Sequence, residues 1–461
     1  MTETPPEQDV RRDDDYALDR DVIAALRVAL AENDADAVRA SVGELHAADL
    51  ADLIEQLGAE PRRRLVEALA PDILPEVLTE LEEGVRDEVL EFLDPAVLAN
   101  AVRELDTDDI VYLVEDLDAE DQARVLEGLD AEDRAVVRQS LTYPEYTAGR
   151  LMQREVVTAP PFWTVGQTID FLRAAEDLPD PFYDVIVVDP AMRPLGKASL
   201  SRILAARRPV TLGGIMEEDF RTVRVDDPQE DVAYAFNKYH LVSAPVVDEG
   251  GRLVGVITID DAMEVMSDEA EEDILRLGGV GGDAEISDSV GETVRQRIPW
   301  LVVNLGTAIL ASLVIALFED VIAQVVALAV LMPIVASMGG IAGTQSLTVA
   351  VRALATRDLT DTNALRVIGR EAVAGVVNGL VFAVIMGAVA WAWFGDPRIA
   401  AVIGAAMIAN MIAAALGGVL IPIVLDKAGA DPALASGTFV TTVTDVVGFF
   451  SFLGLATLVL L

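Results

Sequence analysis

From Pro299 to the C-terminus the chain is a succession of apolar runs, each about 20 residues or longer, and no other feature constrains its fold as strongly. A hydrocarbon core of roughly 30 Å takes about 20 helical residues to cross. Five spans follow: about Pro299 to Phe318, Ile322 to Ala350, Ala372 to Phe394, Ile399 to Leu425 and Ser436 to Leu461. The second is over-long, which predicts tilt or a break around Met338 to Gly343. Basic residues stay on the cytoplasmic side of a membrane. Arg295 and Arg297 precede the first span, Arg352, Arg357, Arg366 and Arg370 lie between the second and third, and Lys427 precedes the fifth. The first-to-second loop has only Glu319 and Asp320, and the third-to-fourth loop has Arg398 as its one base. The expected protein is multi-pass in the cell (plasma or inner) membrane, against lipid, with its N-terminus in the cytoplasm and its C-terminus outside.

The charge sits elsewhere. The region from Pro299 onward holds six basic residues and nine acids, so −40 of the formal −43 belongs to the first 298 residues. A field of that size repels nucleic acid and draws cations to the surface, so nucleic-acid partners are excluded. Much of it also fits a salt-adapted, halophile-like surface, since there are only three lysines (Lys197, Lys238 and Lys427) against 31 arginines. Absence of cysteine removes disulfides, thiolate metal sites and cysteine catalysis. The opening MTETPPEQDVRRDDD has no apolar core and is not expected to act as a signal peptide. Residues 1–20 read as a disordered acidic stretch.

Two duplications organise the acidic half. Residues 21–142 carry apolar residues at i, i+3, i+4 and i+7 and repeat with a 60-residue offset: Leu50, Leu53, Ile54 and Leu57 correspond to Ile110, Leu113, Val114 and Leu117. This predicts a small α-solenoid. After about Val156 the pattern turns to alternating β-branched residues. DVIVVDPAMRPLGKASLSRIL (Asp184 to Leu204) and SAPVVDEGGRLVGVITIDDAM (Ser243 to Met263) share the scheme strand, turn, strand, capped helix. They resemble a tandem pair of CBS domains, placed at 143–208 and 209–268, an α/β fold that often binds adenine nucleotides. Gly255, Thr258 and Asp260 match that family's ribose-contacting pattern, which makes Thr258 and Asp260 nucleotide candidates; the same two residues also suit a helix cap.

Next comes DDAMEVMSDEAEEDILRLGGV, Asp260 to Val280, an acidic helix placed with its linker at 269–298. Glu269, Glu272 and Asp273 share one helical face, where they repel one another unless a counter-ion intervenes. Mg2+ or Ca2+ takes oxygen ligands of this kind, and a solvated acidic face is the alternative. This order of parts resembles the MgtE family of magnesium channels, with five all-α spans at 299–461. The resemblance rests on YPEYTAGRLM (Tyr143 to Met152), DDAMEVMSDEAEEDI, GGIAGTQS (Gly339 to Ser346) and DPALASGTFVTTVTD (Asp431 to Asp445).

That resemblance implies a homodimer with a pore on its twofold axis, lined by the second and fifth spans. It also implies a pore aspartate at Asp445, and regulatory Mg2+ bound by Asp261, Glu269, Glu272, Asp273, Glu230 and the Asp108–Asp109 pair. Gly339, Gly340, Thr441, Thr442 and Thr444 are the lining candidates. Mn2+, Co2+ and Ni2+ are further cargoes and ATP a further ligand. Departures from the family are Ile341 for its usual Asn, Thr438 for its usual Pro, and Pro228 and His240 where relatives often carry acids.

Independently of any family, Asp445 lies nine residues into the last span, where an ionised side chain costs roughly 2.5 to 3.5 kcal/mol at the helix centre. Such a group should face water or a cation. Glu371, beside Arg370, is placed at the cytoplasmic boundary, and the spans offer no lysine or arginine to neutralise Asp445. An intramembrane aspartyl protease would need a second carboxylate in the bilayer, so no enzyme is expected. The rival reading is a CBS-regulated carrier of another divalent cation or solute, sensing nucleotide or ionic strength.

Overall fold

The computed structural model describes residues 20–461 apart from 44, 71–74, 116, 118, 176, 177, 180, 283, 287 and 435. The expected acidic stretch 1–20 therefore lies almost wholly outside the described residues. The chain divides into two compact units, one up to Met266 and one from Ser267.

In the first unit, short helices run from Arg20–Glu32 to Ala131–Ser140. Their apolar stripes meet in one core that includes Leu50, Leu53, Ile54, Ile110, Leu113 and Val114. The 60-residue repeat is carried in the polar contacts as well. Helix Ala47–Glu55 ends with carbonyls that no residue of its own helix can reach, and Arg62 donates to Ile54 O at 3.1 Å and to Leu57 O at 3.0 Å. One repeat later Gln122 donates to Val114 O at 3.0 Å. Arg134 does the same for Leu126 O at 2.8 Å and Leu129 O at 2.7 Å.

Two three-stranded sheets follow with one topology. Strands β1 (Thr158–Ala159), β2 (Asp184–Val188) and β3 (Pro194–Ser199) form the first, with β1 parallel and β3 antiparallel to β2. Strands β4 (Val223–Arg224), β5 (Ser243–Val247) and β6 (Leu253–Thr258) repeat it. The registers agree residue for residue: Asp184 opposes Ser199 as Ser243 opposes Thr258, and both sheets slip at the same place, Val187/Val188 and Val246/Val247. The two sheets touch through their equivalent residues, because Ser243 Oγ donates to Asp184 Oδ2 at 2.6 Å and Lys197 Nζ reaches the same oxygen at 2.9 Å.

The acidic helix spans Ile259–Leu277. It starts inside the stretch read as the second CBS unit, and beyond it the chain reaches φ +73° at Gly279, a conformation that favours glycine.

Five helices of the second unit are long and apolar enough to cross a membrane: Val290–Ala316, Ala327–Ala355, Ala364–Phe394, Pro397–Lys427 and Gly437–Leu460, the last belonging to a helix that begins at Ser436. They are called the first to fifth spans below. The expected break at Met338 to Gly343 does not occur, and the second span runs unbroken through it. The first residues of the expected run, Ile322 to Gln324, belong instead to a separate short helix, Glu319–Gln324, closed at Val325, and the span itself keeps its length by running on to Ala355. Apolar residues continue across that turn, which hides it from a hydropathy reading. The fourth span is the most enclosed, and it likewise continues through Pro422.

Small residues let these helices approach. A Cβ on Gly418 would lie 2.6 Å from Gly343 O and 2.9 Å from Leu347 N, both backbone atoms with no freedom to yield. Gly418→Ala should therefore destabilise the bundle by about 1–3 kcal/mol, as overpacking does. Gly306→Ala, where nothing lies within 4 Å, should leave stability unchanged. Thermal unfolding of both variants in detergent decides it, and equal midpoints would refute the packing account.

Candidate conduction cleft and acidic cluster

Asp445 projects into a cleft of about 560 Å3 between the second and fifth spans. One face of the second span supplies Ser337, Gly340, Ile341, Thr344, Gln345 and Thr348, and the fifth supplies Thr441 with Asp445 one turn on. Several of the hydroxyls spend their hydrogens on their own helix. Thr344 Oγ1 donates to Gly340 O, Thr348 Oγ1 to Thr344 O and Thr441 Oγ1 to Gly437 O, each at 3.0 Å. A hydroxyl bonded in this way presents only lone pairs to the cleft. With the Asp445 carboxylate, the lining is rich in acceptors, the chemistry that receives a cation or the hydrogens of its water shell. Among the described residues, Asp445 has no hydrogen-bond or ion-pair partner.

The expected lining residues divide. Gly340, Thr441 and Asp445 border the cleft. Thr442 donates to Thr438 O and Thr444, fully buried, to Thr441 O, and neither borders it. Gly339 faces the opposite way, its Cβ position filled by the buried Asn410, which donates to Val335 O at 2.8 Å. Ser337, Thr344, Gln345 and Thr348 were missed, although their spacing of i, i+7, i+8 and i+11 marks a polar face along an apolar helix. Ile341, the departure from the family's Asn, is exposed on that face.

In the first unit, Asp108 and Asp109 stand in the first turn of helix Thr107–Val114 and meet Asp260 and Asp261 from the acidic helix. Burial, then Asp261, then Asp109 push the Asp108 carboxyl well above the usual range. Burial and then Asp261 raise Asp109 to about 7. Asp261 is raised by burial to about 6, although Thr258 N–H donates to its Oδ2 at 2.9 Å and opposes the rise. Thr258 immediately precedes the acidic helix, and Asp261, three residues on, accepts from both the Thr258 backbone N–H and its hydroxyl. Thr258 and Asp260, the nucleotide candidates, belong to this cluster.

The larger opening in the first unit is a cleft of about 770 Å3 bordered by Tyr183, Lys197, Ser199, Arg221, Tyr239 and His240, without Thr258 or Asp260. There the Arg221 guanidinium lies 3.5 Å from the centre of the Tyr239 ring.

Glu230 is exposed in the first turn of helix Gln229–Tyr239. Glu269, Glu272 and Asp273 share a half-buried face of the acidic helix. Arg276 pairs with Glu272 and with Asp431, which precedes the fifth span. Among the described residues no three or more His, Asp or Glu side chains are gathered as a finished metal site.

Comparison with known proteins gives a consistent result. Residues 332–455 match the MgtE family described as divalent cation transporter, 45–146 the MgtE intracellular N domain, and 212–268 the CBS domain. The chain is 34% identical over 321 residues to the magnesium transporter MgtE of Enterococcus faecalis, covering 70% of this chain and 71% of the relative. It is 36% identical over 320 residues to that of Thermus thermophilus, covering 69% and 71%. The crystal structure of the cytosolic domain of the Mg2+ channel MgtE in complex with ATP superposes with a TM-score of 0.50 at 34% identity, over 53% of this chain and 99% of that one.

Proposed function

The chain belongs to the MgtE family of magnesium transporters, and on that premise we propose that it carries Mg2+ through the Asp445 cleft into the cell and is shut by the same ion bound to its acidic half. The observation that carries the reading is the unpaired Asp445 carboxylate in an acceptor-rich cleft between two spans. Mg2+ sheds water reluctantly and is held by one or two carboxylates together with its own waters. A partly hydrated ion is therefore the species this lining suits, with Asp445 contacting it and Thr441 and the Gly340 face touching its waters. Two copies meeting along the exposed face of Ile341, Thr344 and Thr348 would close the cleft into a pore with two facing aspartates. The test is Mg2+ entry into proteoliposomes holding the full-length chain and a trapped Mg2+ indicator, in high salt. Entry well above that of protein-free vesicles is expected, with Mn2+, Co2+ and Ni2+ as competitors, and an absence of entry would overturn the transport reading.

The regulatory part rests on the carboxylates. Asp108, Asp109 and Asp261 stand close together, and burial with repulsion from neighbouring carboxylates raises all three pKa values. Mg2+ entering there would replace protons and tie the solenoid to the start of the acidic helix. Glu269, Glu272 and Asp273 would bind it further along that helix, and Glu230 at the second CBS unit. As internal Mg2+ falls, these carboxylates repel and release the helix. Screening within about 3 Å at 1 M salt weakens diffuse repulsion, so bound-ion bridges carry the effect in a salty cytoplasm. The 770 Å3 cleft, with tyrosine rings to stack a base and Arg221 and Lys197 to meet phosphates, favours ATP as a second ligand.

A further inference from the structure

A second polar cavity lies behind the Asp445 cleft. It holds about 160 Å3 among the second, third and fourth spans, and its polar groups are Gln345, Ser346, Glu371 and Asn378. Glu371 is half-buried and accepts from Ser346 Oγ at 3.0 Å, its one recorded side-chain partner. No basic group pairs with it among the described residues: Arg370 is its neighbour in sequence, but successive helical residues point about 100° apart, and Arg370 is exposed. The third span continues past Glu371 as a regular helix, and the carboxylate stands two turns, about 10 Å, from its start. A half-buried carboxylate between three helices, bonded only to a neutral hydroxyl, favours a counter-charge.

The donor set names that charge. One carboxylate with a hydroxyl oxygen and two amide carbonyls carries a single negative charge, which a monovalent ion neutralises in full, whereas a dication would leave a net positive charge between the spans. We propose that Glu371, Ser346, Gln345 and Asn378 form a binding site for an alkali-metal cation, with Na+ as the probe ion. Gln345 also lines the Asp445 cleft, so a cation at Glu371 adjoins the conduction face without sharing its carboxylate. The site stands whether or not Mg2+ is the cargo.

The test is thermal unfolding of the full-length chain in detergent at fixed ionic strength, with Na+ replacing N-methyl-D-glucamine. The native chain should gain a saturable rise of about 5 °C in its midpoint, the size expected of a ligand well above its dissociation constant. Asp445→Asn should keep that rise and Glu371→Gln should lose it. Should Glu371→Gln fail to fold, Ser346→Ala, which removes one ligand, should raise the half-saturating Na+ concentration about tenfold, equivalent to roughly 1.4 kcal/mol. An equal rise in native and Glu371→Gln protein, an unchanged midpoint in Ser346→Ala, no saturable rise in the native chain, or loss of the rise in Asp445→Asn would each overturn the assignment.

Discussion

Mg2+ entry should fall by about a hundredfold or more when Asp445 is replaced by alanine, a factor worth roughly 2.7 kcal/mol. The electrostatics allow more. A dication about 5 Å from one carboxylate gains roughly 7 kcal/mol at an effective dielectric constant near 20, and water re-entering the cleft recovers only part of that. The fold should tolerate the change, because Asp445 has no partner to orphan and an ionised group inside a span is itself costly by about 2.5 to 3.5 kcal/mol. Asp445→Ala should unfold at or above the native temperature while conducting almost nothing. Asp445→Asn keeps the shape without the charge and should conduct nearly as poorly. The comparison is made in proteoliposomes at matched protein density. Equal entry through native and alanine proteins would move the pore away from the second and fifth spans.

The parts legible in the sequence are those written as local periodicity. Five apolar runs, the offset linking Leu50 to Ile110, and the paired strand schemes each repeat a spacing that one element alone explains, and each has its counterpart in the structure. Asp445 was legible for a different reason: a charge inside an apolar span is conspicuous wherever it occurs. What could not be read depends on contacts between distant segments. The turn before the second span is hidden because Val325 and Val326 are as apolar as the helices they separate. The pattern of Thr258 and Asp260 suits both a nucleotide and a cap, and the company of Asp108, some 150 residues away, is invisible to spacing. The cleft beside Tyr183 draws on Arg221 and Tyr239 from the other CBS unit, with no motif to announce it. Glu371 read as a boundary acid because its neighbour is Arg370, and only helix packing reveals Ser346 as its partner.

The second large effect concerns pH and Mg2+ at the acidic cluster. Asp108, Asp109 and Asp261 all have raised pKa values in the folded chain, Asp109 to about 7 and Asp261 to about 6. A carboxyl that binds its proton more tightly when folded stabilises the fold fully below its unfolded pKa, near 3.9. That stabilisation is lost as pH rises through the folded values. With chelator present, the unfolding midpoint of the first unit within the full-length chain should therefore fall steadily between about pH 4 and pH 7. Mg2+ needs the ionised carboxylates, so its binding expels protons and its affinity should climb over the range where Asp261 and Asp109 titrate, from about pH 6 to pH 7. The midpoint with Mg2+ present should then stay level or rise where the metal-free midpoint falls. Replacing Asp108, Asp109 and Asp261 together by asparagine should flatten both profiles, raise the metal-free midpoint at neutral pH, and shift the internal Mg2+ that halves uptake upward by about tenfold, roughly 1.4 kcal/mol of lost coupling. Flattened pH profiles with unaltered Mg2+ inhibition would separate the two roles: the acids would be a strained surface of the fold, and closure would have to depend on Glu269, Glu272 and Asp273.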